Sequence, residues 1–342
     1  MQDKTRDLIK LYRWGDKMKT FLAFLMALFI ALTFMGEKTE AKFISETKIM
    51  MDTTVSITVD GSYQDIQKAF SAIEKINFLM NDYIPSTEIS VLNRKGTNKL
   101  SCDTRQVILK AIHFSKITRG AFDITVGPLV RLWQRMGREK RLPTSNELNR
   151  ALSLVGYKNI KISGDTVKLL KKGMMLDLGG IAKGYAVDKA IEVLRERGVK
   201  NALVNAGGDM YCLGEGPSGK WRVGIQHPRN LRKIVGIISV ANRGVATSGD
   251  YYRYHVINGK RFGHIINPAT GWTVQDIPMS VTIIAPNATT ADALATGVFV
   301  LGPVKGLELI NSLPKVEGVI ISKGMKIVTS SGWGKYEIKR FY

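Results

Sequence analysis

"YHVINGKRFGHII", Tyr254 to Ile266, is the stretch on which the fold class turns. Two β-prone runs flank Asn258-Gly259, and these residue types accept the positive φ that both central positions of a type I′ turn require, so the stretch reads as an antiparallel hairpin. "NIKISGDTVKLL", Asn159 to Leu170, reads as another, turning at Gly164-Asp165. Helical periodicity stands beside these hairpins. In "SYQDIQKAFSAIEKINFLM", Ser62 to Met80, the residues Ile66, Phe70, Ile73 and Ile76 fall near one face. A second helix is expected from Asp103 to Arg119, with Asp103 as cap and Gly120 as stop. Two more are expected, from Gly180 to Arg197, closed by Gly198, and from Thr290 to Leu301, closed by Gly302. No repeat at a period of about 20 to 50 residues is visible. The expected fold class is α+β, mainly antiparallel sheets with flanking helices.

Composition narrows the partners. The 342 residues are 44% apolar with no low-complexity tract, which excludes a disordered or fibrous chain. Cys102 and Cys212 form no CxxC pair and have no clustered histidines, so neither a zinc site nor a disulfide framework is indicated, and a single bridge between them stays open. The formal charge of +21 favours anionic partners. Clustered Lys/Arg interleaved with aromatics are missing, so no nucleic-acid partner is expected.

The N-terminal segment reads as a targeting signal. Six Lys/Arg against three Asp precede a run of fifteen almost wholly apolar residues, Phe21 to Met35. The run is shorter than the roughly 20 residues of a spanning helix, and the basic approach holds the N-terminus in the cytoplasm. Residues 1 to 41 are therefore expected to be a basic segment plus a cleaved signal peptide or an uncleaved anchor, a buried core helix being the bland alternative. Residues 45 to 342 would then work outside the cytoplasm, on the outer face of the membrane or in the periplasm.

Four stretches are richer in glycine and in acidic or hydroxyl residues than packing requires. "RGAFDITVGPLVRLW", Arg119 to Trp133, sets Asp123 inside a β-prone apolar run, where it serves as a local backbone acceptor or as a ligand contact. "LDLGGIAKGYAVDKAIEVLRERG", Leu176 to Gly198, opens a helix at Gly179-Gly180, so its free N–H groups could face an anion with Lys183 one turn inside; the alternative is a plain tight turn. "NALVNAGGDMYCLG", Asn201 to Gly214, is a strand running into Gly-Gly, suited to a ligand's close approach or to a bulge. "PNATTADALATGVFVLG", Pro286 to Gly302, spaces Asp292 and Thr296 four apart on one helical face. A carboxylate and a hydroxyl are hard donors suited to Mg²⁺; Asp292 in the first turn would alternatively favour the helix dipole.

"MMDTTVSI", "MNDYIPSTEISVLN", "GAFDITVGPLV", "LDLGGIAKGYAVD", "VNAGGD", "GHIINPATG" and "TTADALATGVFVLG" follow one another in an order that resembles the ApbE family, the FAD:protein FMN transferases, from about Met50 to the C-terminus. The resemblance implies an ApbE-like, T-fold-like domain. It also implies an exported or membrane-anchored enzyme that uses Mg²⁺, or Mn²⁺, to split FAD and link FMN by a phosphoester to a Thr or Ser of a partner protein, releasing AMP. The implied partner is a membrane redox subunit. By resemblance, FAD contacts fall to Met51, Tyr83, Ala121, Phe122, Asp123, Asp177, Lys183 and Ile266, and the metal to Gly180, Asp292, Ala295 and Thr296. Asp52 stands where the family usually has glycine, which puts a side chain beside the close approach at Met51.

This reaction needs phosphate charge neutralised, a hydroxyl positioned and its proton removed. Mg²⁺ and Lys183 suit the first task, and a neutral imidazole the last. His264 is the histidine inside the motif; His113 lies on an expected helix, His227 precedes Pro228, and His255 is on the opposite hairpin strand. His264 is the expected general base, on the return strand of its hairpin. An FAD pyrophosphatase or a non-catalytic flavin carrier would use the same pocket without a protein acceptor.

Overall fold

Asn258 and Gly259 adopt φ of 50° and 73°, the left-handed pair of a type I′ turn, and the strands on either side pair antiparallel from Tyr254↔Gly263 to Ile257↔Lys260. The second expected hairpin, turning at Gly164-Asp165, is also present. The computed structural model describes residues 43–251, 253–275 and 278–340. The expected signal or anchor and its basic approach, residues 1 to 41, lie outside the described residues.

The first half of the chain runs β1 (Ile44–Met50), β2 (Thr53–Val59), α1 (Tyr63–Met80), α2 (Glu88–Lys95), β3 (Thr97–Lys99), α3 (Cys102–Ile117), α4 (Gly127–Glu139), α5 (Ser145–Leu152), β4 (Ile160–Ser163), β5 (Thr166–Leu169) and α6 (Ala182–Glu196). It continues β6 (Ala202–Ala206), β7 (Asp209–Leu213), β8 (Trp221–Gln226), β9 (Ile234–Val240), β10 (Arg243–Gly249), β11 (Tyr254–Ile257), β12 (Lys260–Gly263), β13 (Ser280–Ala285), α7 (Ala288–Ser312), β14 (Glu317–Ile321), β15 (Ile327–Thr329) and β16 (Glu337–Arg340). Eight strands form one sheet in the order β1-β2-β6-β7-β10-β13-β14-β15, each neighbouring pair antiparallel. Smaller sheets β3-β5-β4 and β16-β9-β8 and the β11-β12 hairpin complete an α+β fold.

Alternation explains how the large sheet is covered. In β2, Val55, Ile57 and Val59 are fully buried while Thr54, Ser56 and Thr58 are not, the period of two that one core face demands. That face packs on α1, α6 and α7 through Ile66, Ile73, Val187, Ile191, Leu294 and Val298. Burying each such branched side chain contributes roughly 2 kcal/mol. The opposite face takes the β8-β9 layer: Val245 and Ile284 meet Trp221, Val223 and Ile238, while their neighbours Ala246 and Ile283 face the helices. β13 is buried on both sides, and all six of its residues are inside.

Several boundaries depart from expectation. Ser101, not Asp103, caps α3, its hydroxyl accepting from the Thr104 N–H; Asp103 instead pairs with Lys75 at 2.7 Å and accepts from the Tyr185 hydroxyl. The "RGAFDITVGPLVRLW" run is a 3₁₀ turn, Ile124–Val126, leading into α4, because Asp123 caps it and Pro128 suits a helix's first turn. α7 starts at Ala288 and resumes after Gly302, whose φ of 78° kinks it before Pro303. Cys102 is exposed and Cys212 buried, both as free thiols; burial pushes the Cys212 thiol up to about 12.

Candidate active site

α4 is the mounting on which the hairpin sits. Leu129, Leu132, Trp133 and Met136 pack against Ile257, Phe262 and Ile266; the Trp133 ring stacks on Phe262 with centroids 5.3 Å apart, and its indole N–H donates to the Gly271 carbonyl at 2.8 Å. A Cβ at Gly137 would fall 2.2 Å from Nδ1 of His255, so glycine there lets the hairpin approach the helix closely. His255 is thereby used for packing.

β12 ends at Gly263, so His264 lies one residue beyond the return strand. Its backbone N–H donates to the Arg253 carbonyl at 3.1 Å, and its ring Nδ1 lies 3.1 Å from the same oxygen. A carbonyl only accepts, so this contact assigns the proton to Nδ1 and leaves the lone pair on Nε2. His264 is solvent-exposed as a residue. Desolvation by the protein around its ring, with the charges of Arg253 and Lys183, pushes its pKa down to about 4 against the opposing Arg253 carbonyl and Asp250. His264 is a neutral acceptor at pH 7.

Lys183 belongs to the first turn of α6, which begins at Ala182 rather than Gly180, and its ammonium pairs with Asp209 at the start of β7. The Gly-Gly before Asp209 is neither bulge nor plain strand: Gly207 and Gly208, with φ of 64° and 101°, turn the β6-β7 hairpin.

Asp292 lies past the first turn of α7, whose cap is Asn287, so the dipole reading of Asp292 does not hold. Its carboxylate, 4% exposed, accepts from the Gly184 N–H at 3.0 Å; desolvation raises its pKa against the charge of Lys183. A Cβ at Gly184 would fall 2.4 Å from the Ala288 carbonyl, so this glycine brings α6 and α7 together. Thr296, one turn beyond Asp292, has its hydroxyl 3.2 Å from that of Ser248 on β10, and a Cβ at Gly180 would lie 3.1 Å from the same oxygen. Ala295 is fully buried beside it with only a carbonyl to offer. Gly180, Asp292 and Thr296 thus supply a carbonyl, a buried carboxylate and a hydroxyl, hard oxygen donors that fit Mg²⁺ with its remaining positions left to water and phosphate. Among the described residues no cluster of three His, Cys, Asp or Glu offers a denser metal site.

Two of the other flavin candidates, Phe122 and Asp177, adjoin Gly179-Gly180. Phe122 packs beside Gly180 and Gly297, next to Ala121. Asp123 is buried, and its carboxylate accepts from the Thr125 N–H and hydroxyl and from the Tyr157 N–H, which makes the side chain a structural acceptor. Asp177 accepts from the Gly179 N–H at 2.7 Å; desolvation raises its pKa, opposed by Arg131 and Arg253. Met51 and Asp52, with φ of 52° and 55°, form the two-residue turn between β1 and β2, the conformation that favours glycine at position 52. Tyr83 is 59% exposed, and Ile266 is buried beneath the hairpin's end.

One residue that sequence reasoning missed is Asp188. Its carboxylate accepts from the Ala288 and Thr289 N–H groups at 2.8 and 2.9 Å and from the Thr289 hydroxyl, capping α7 from α6. Its place four residues after Gly184, on the face that meets α7, was the available signal. Arg253, Ser248 and Asp209 were also missed; Arg253 acts here through its carbonyl, which side-chain chemistry does not announce.

Residues 51–320 match the ApbE family. The chain belongs to the ApbE family. The FAD:protein FMN transferase of Haemophilus influenzae is 33% identical to it across 92% of this chain and 96% of that protein, and the Vibrio cholerae FAD:protein FMN transferase is 33% identical across 87% and 89%. Among solved structures, the ApbE protein of Thermotoga maritima superposes with a TM-score of 0.80 at 32% identity over 87% of this chain and all of that one. Flavin transferase ApbE from Vibrio cholerae gives 0.76 at 30% identity over 86% and 99%. This ApbE chain is accordingly a transferase of the flavin-handling class, with the α+β architecture of its relatives.

Proposed function

We propose that this chain moves FMN from FAD to a Ser or Thr hydroxyl of a partner protein, forming a phosphoester and releasing AMP. The observation that supports this reading is the nearness of three candidate groups from three elements, His264 beyond β12, Lys183 on α6 and Asp292 on α7: Asp292 accepts from the Gly184 N–H next to Lys183, and the Lys183 charge acts on both of the other groups. Nε2 of His264 takes the proton of the acceptor hydroxyl, whose oxygen attacks the flavin-side phosphorus. The bond from that phosphorus to the bridging oxygen breaks, and its electron pair leaves with AMP. The Lys183 ammonium offsets phosphate charge, and Arg253 holds the imidazole in its base tautomer.

Asp292, Thr296 and the Gly180 carbonyl would hold Mg²⁺, with Mn²⁺ accepted by the same donors. The metal would supply Lewis-acid stabilisation of the pyrophosphate oxygens. The acceptor is proposed to be a membrane redox subunit met on the outer face of the cytoplasmic membrane or in the periplasm, on the strength of the basic and apolar N-terminal segment.

The test is to incubate the chain with FAD, Mg²⁺ and candidate acceptors and to read products by intact mass. FAD with Mg²⁺ alone should yield little AMP, and the right acceptor should yield AMP and FMN-modified acceptor in equal amounts. Fast, acceptor-independent release of FMN would indicate a pyrophosphatase, and retained FAD without turnover a carrier.

A further inference from the structure

Tyr83 is exposed, yet it is held from three directions. The Asn81 side chain accepts from its backbone N–H at 2.9 Å, the Gln134 amide donates to its hydroxyl at 2.7 Å, and the Arg131 guanidinium lies 5.0 Å from its ring centroid. Arg131 also donates to the Asp82 carboxylate at 2.8 Å and to the Asp82 carbonyl at 3.3 Å, so it grips the residue before Tyr83 by side chain and backbone together. Arg131 and Gln134 are three apart on α4 and share a face. An exposed tyrosine ordinarily keeps its rotamer freedom; this one has an edge and a face fixed to a helix, and it remains open to solvent.

We infer that Arg131, assisted by Gln134, is a positioning residue that presents Tyr83 as a preset platform for the planar flavin ring. The inference rests on the reading that flavin binds at Tyr83. A stacked ring gains from a platform whose entropy is already lost, so the contribution belongs to FAD binding rather than to the chemical step.

The test uses the full chain with a chelator present, so that FAD is not consumed, and follows quenching of flavin fluorescence and the Kd for FAD; steady-state kinetics with Mg²⁺ supply KM and kcat. Arg131→Met should raise Kd and KM by about tenfold, lessen the quenching and leave kcat within about twofold. Arg131→Lys, which keeps the charge without the planar fork, should recover part of the affinity but not the quenching. Gln134→Leu should lessen the quenching more mildly. If Arg131→Met fails to fold, Arg131→Lys carries the reading, and parental quenching in that variant overturns the inference. Tyr83→Ala separates the two levels: an effect there with none in Arg131→Met overturns the role of Arg131 alone. No effect in Tyr83→Ala overturns the flavin position and the inference with it.

Discussion

His264 is held by a single backbone oxygen, and that contact decides what the imidazole does. With Nδ1 donating to Arg253, only Nε2 faces outward with a lone pair, and desolvation keeps the ring neutral well below its ordinary pKa. His264→Ala should therefore retain FAD binding while FMN transfer falls by roughly 10²-fold or more, as expected on losing a general base. Near-parental transfer would remove His264 from that role. The acid limb of kcat/KM should lie near pH 4 rather than near 6.5. The same shift sets a stability slope. Between about pH 6.5 and 4 the unfolded histidine takes up a proton that the folded one refuses, so this group lowers stability as pH falls through that window, with no further change below 4. Comparing the parent with His264→Ala by denaturant unfolding at pH 7 and pH 4.5 should show a smaller acid loss in the variant; equal losses would contradict the assignment.

At the scale of elements, α4 and the α6–α7 pair carry most of the candidate residues. α4 carries Arg131 and Gln134 against Tyr83 and Trp133 against the hairpin that ends at His264, so one helix registers the flavin candidate with the base. α6 and α7 meet at Gly184, and Asp188 closes the N-terminus of α7 from across the gap. With Asn287 and Asp188 satisfying that terminus, Asp292 is left for another use. Asp292→Asn keeps an oxygen able to accept from the Gly184 N–H and removes a buried charge, so its thermal midpoint should stay within a few degrees of the parent. Its Mg²⁺ titration and transfer activity should collapse. An unchanged metal titration together with a lowered midpoint would mean that the carboxylate is structural. The hairpin, the core face of α1 and the placement of Asp292 and Thr296 one turn apart on a single helix were legible in the sequence, because they follow from turn chemistry and from the helical period of 3.6. The capping by Asp188 and the mounting on α4 were not, since both join residues 100 or more positions apart. The run around Asp123 misled because its β-branched residues outweighed the capping Asp and the Pro at the helix start.

At the scale of the whole molecule, the candidate residues belong to motifs spread from Met51 to Thr296, which is why no short window of the chain discloses the reaction and the ordered set does. Charge is spread as widely. Residues 1 to 41 hold seven Lys/Arg and five Asp/Glu, so the remainder keeps 21 − 2 = +19, a bias toward anionic substrate that does not depend on the N-terminal segment. We propose that this segment directs export instead. Its six Lys/Arg before Phe21 favour retention of the N-terminus on the cytoplasmic side, and the apolar run to Met35 is long enough to engage export though short for a stable span. A reporter active only outside the cytoplasm, fused after Lys42, should be switched on by residues 1 to 42 in an export-competent host. Replacing two residues near the middle of the run, Leu28→Arg with Ile30→Arg, should silence it, because charged side chains there cost about 2.5–3.5 kcal/mol each on insertion. A silent parental fusion would place the enzyme in the cytoplasm and confine its acceptors to proteins exposed there.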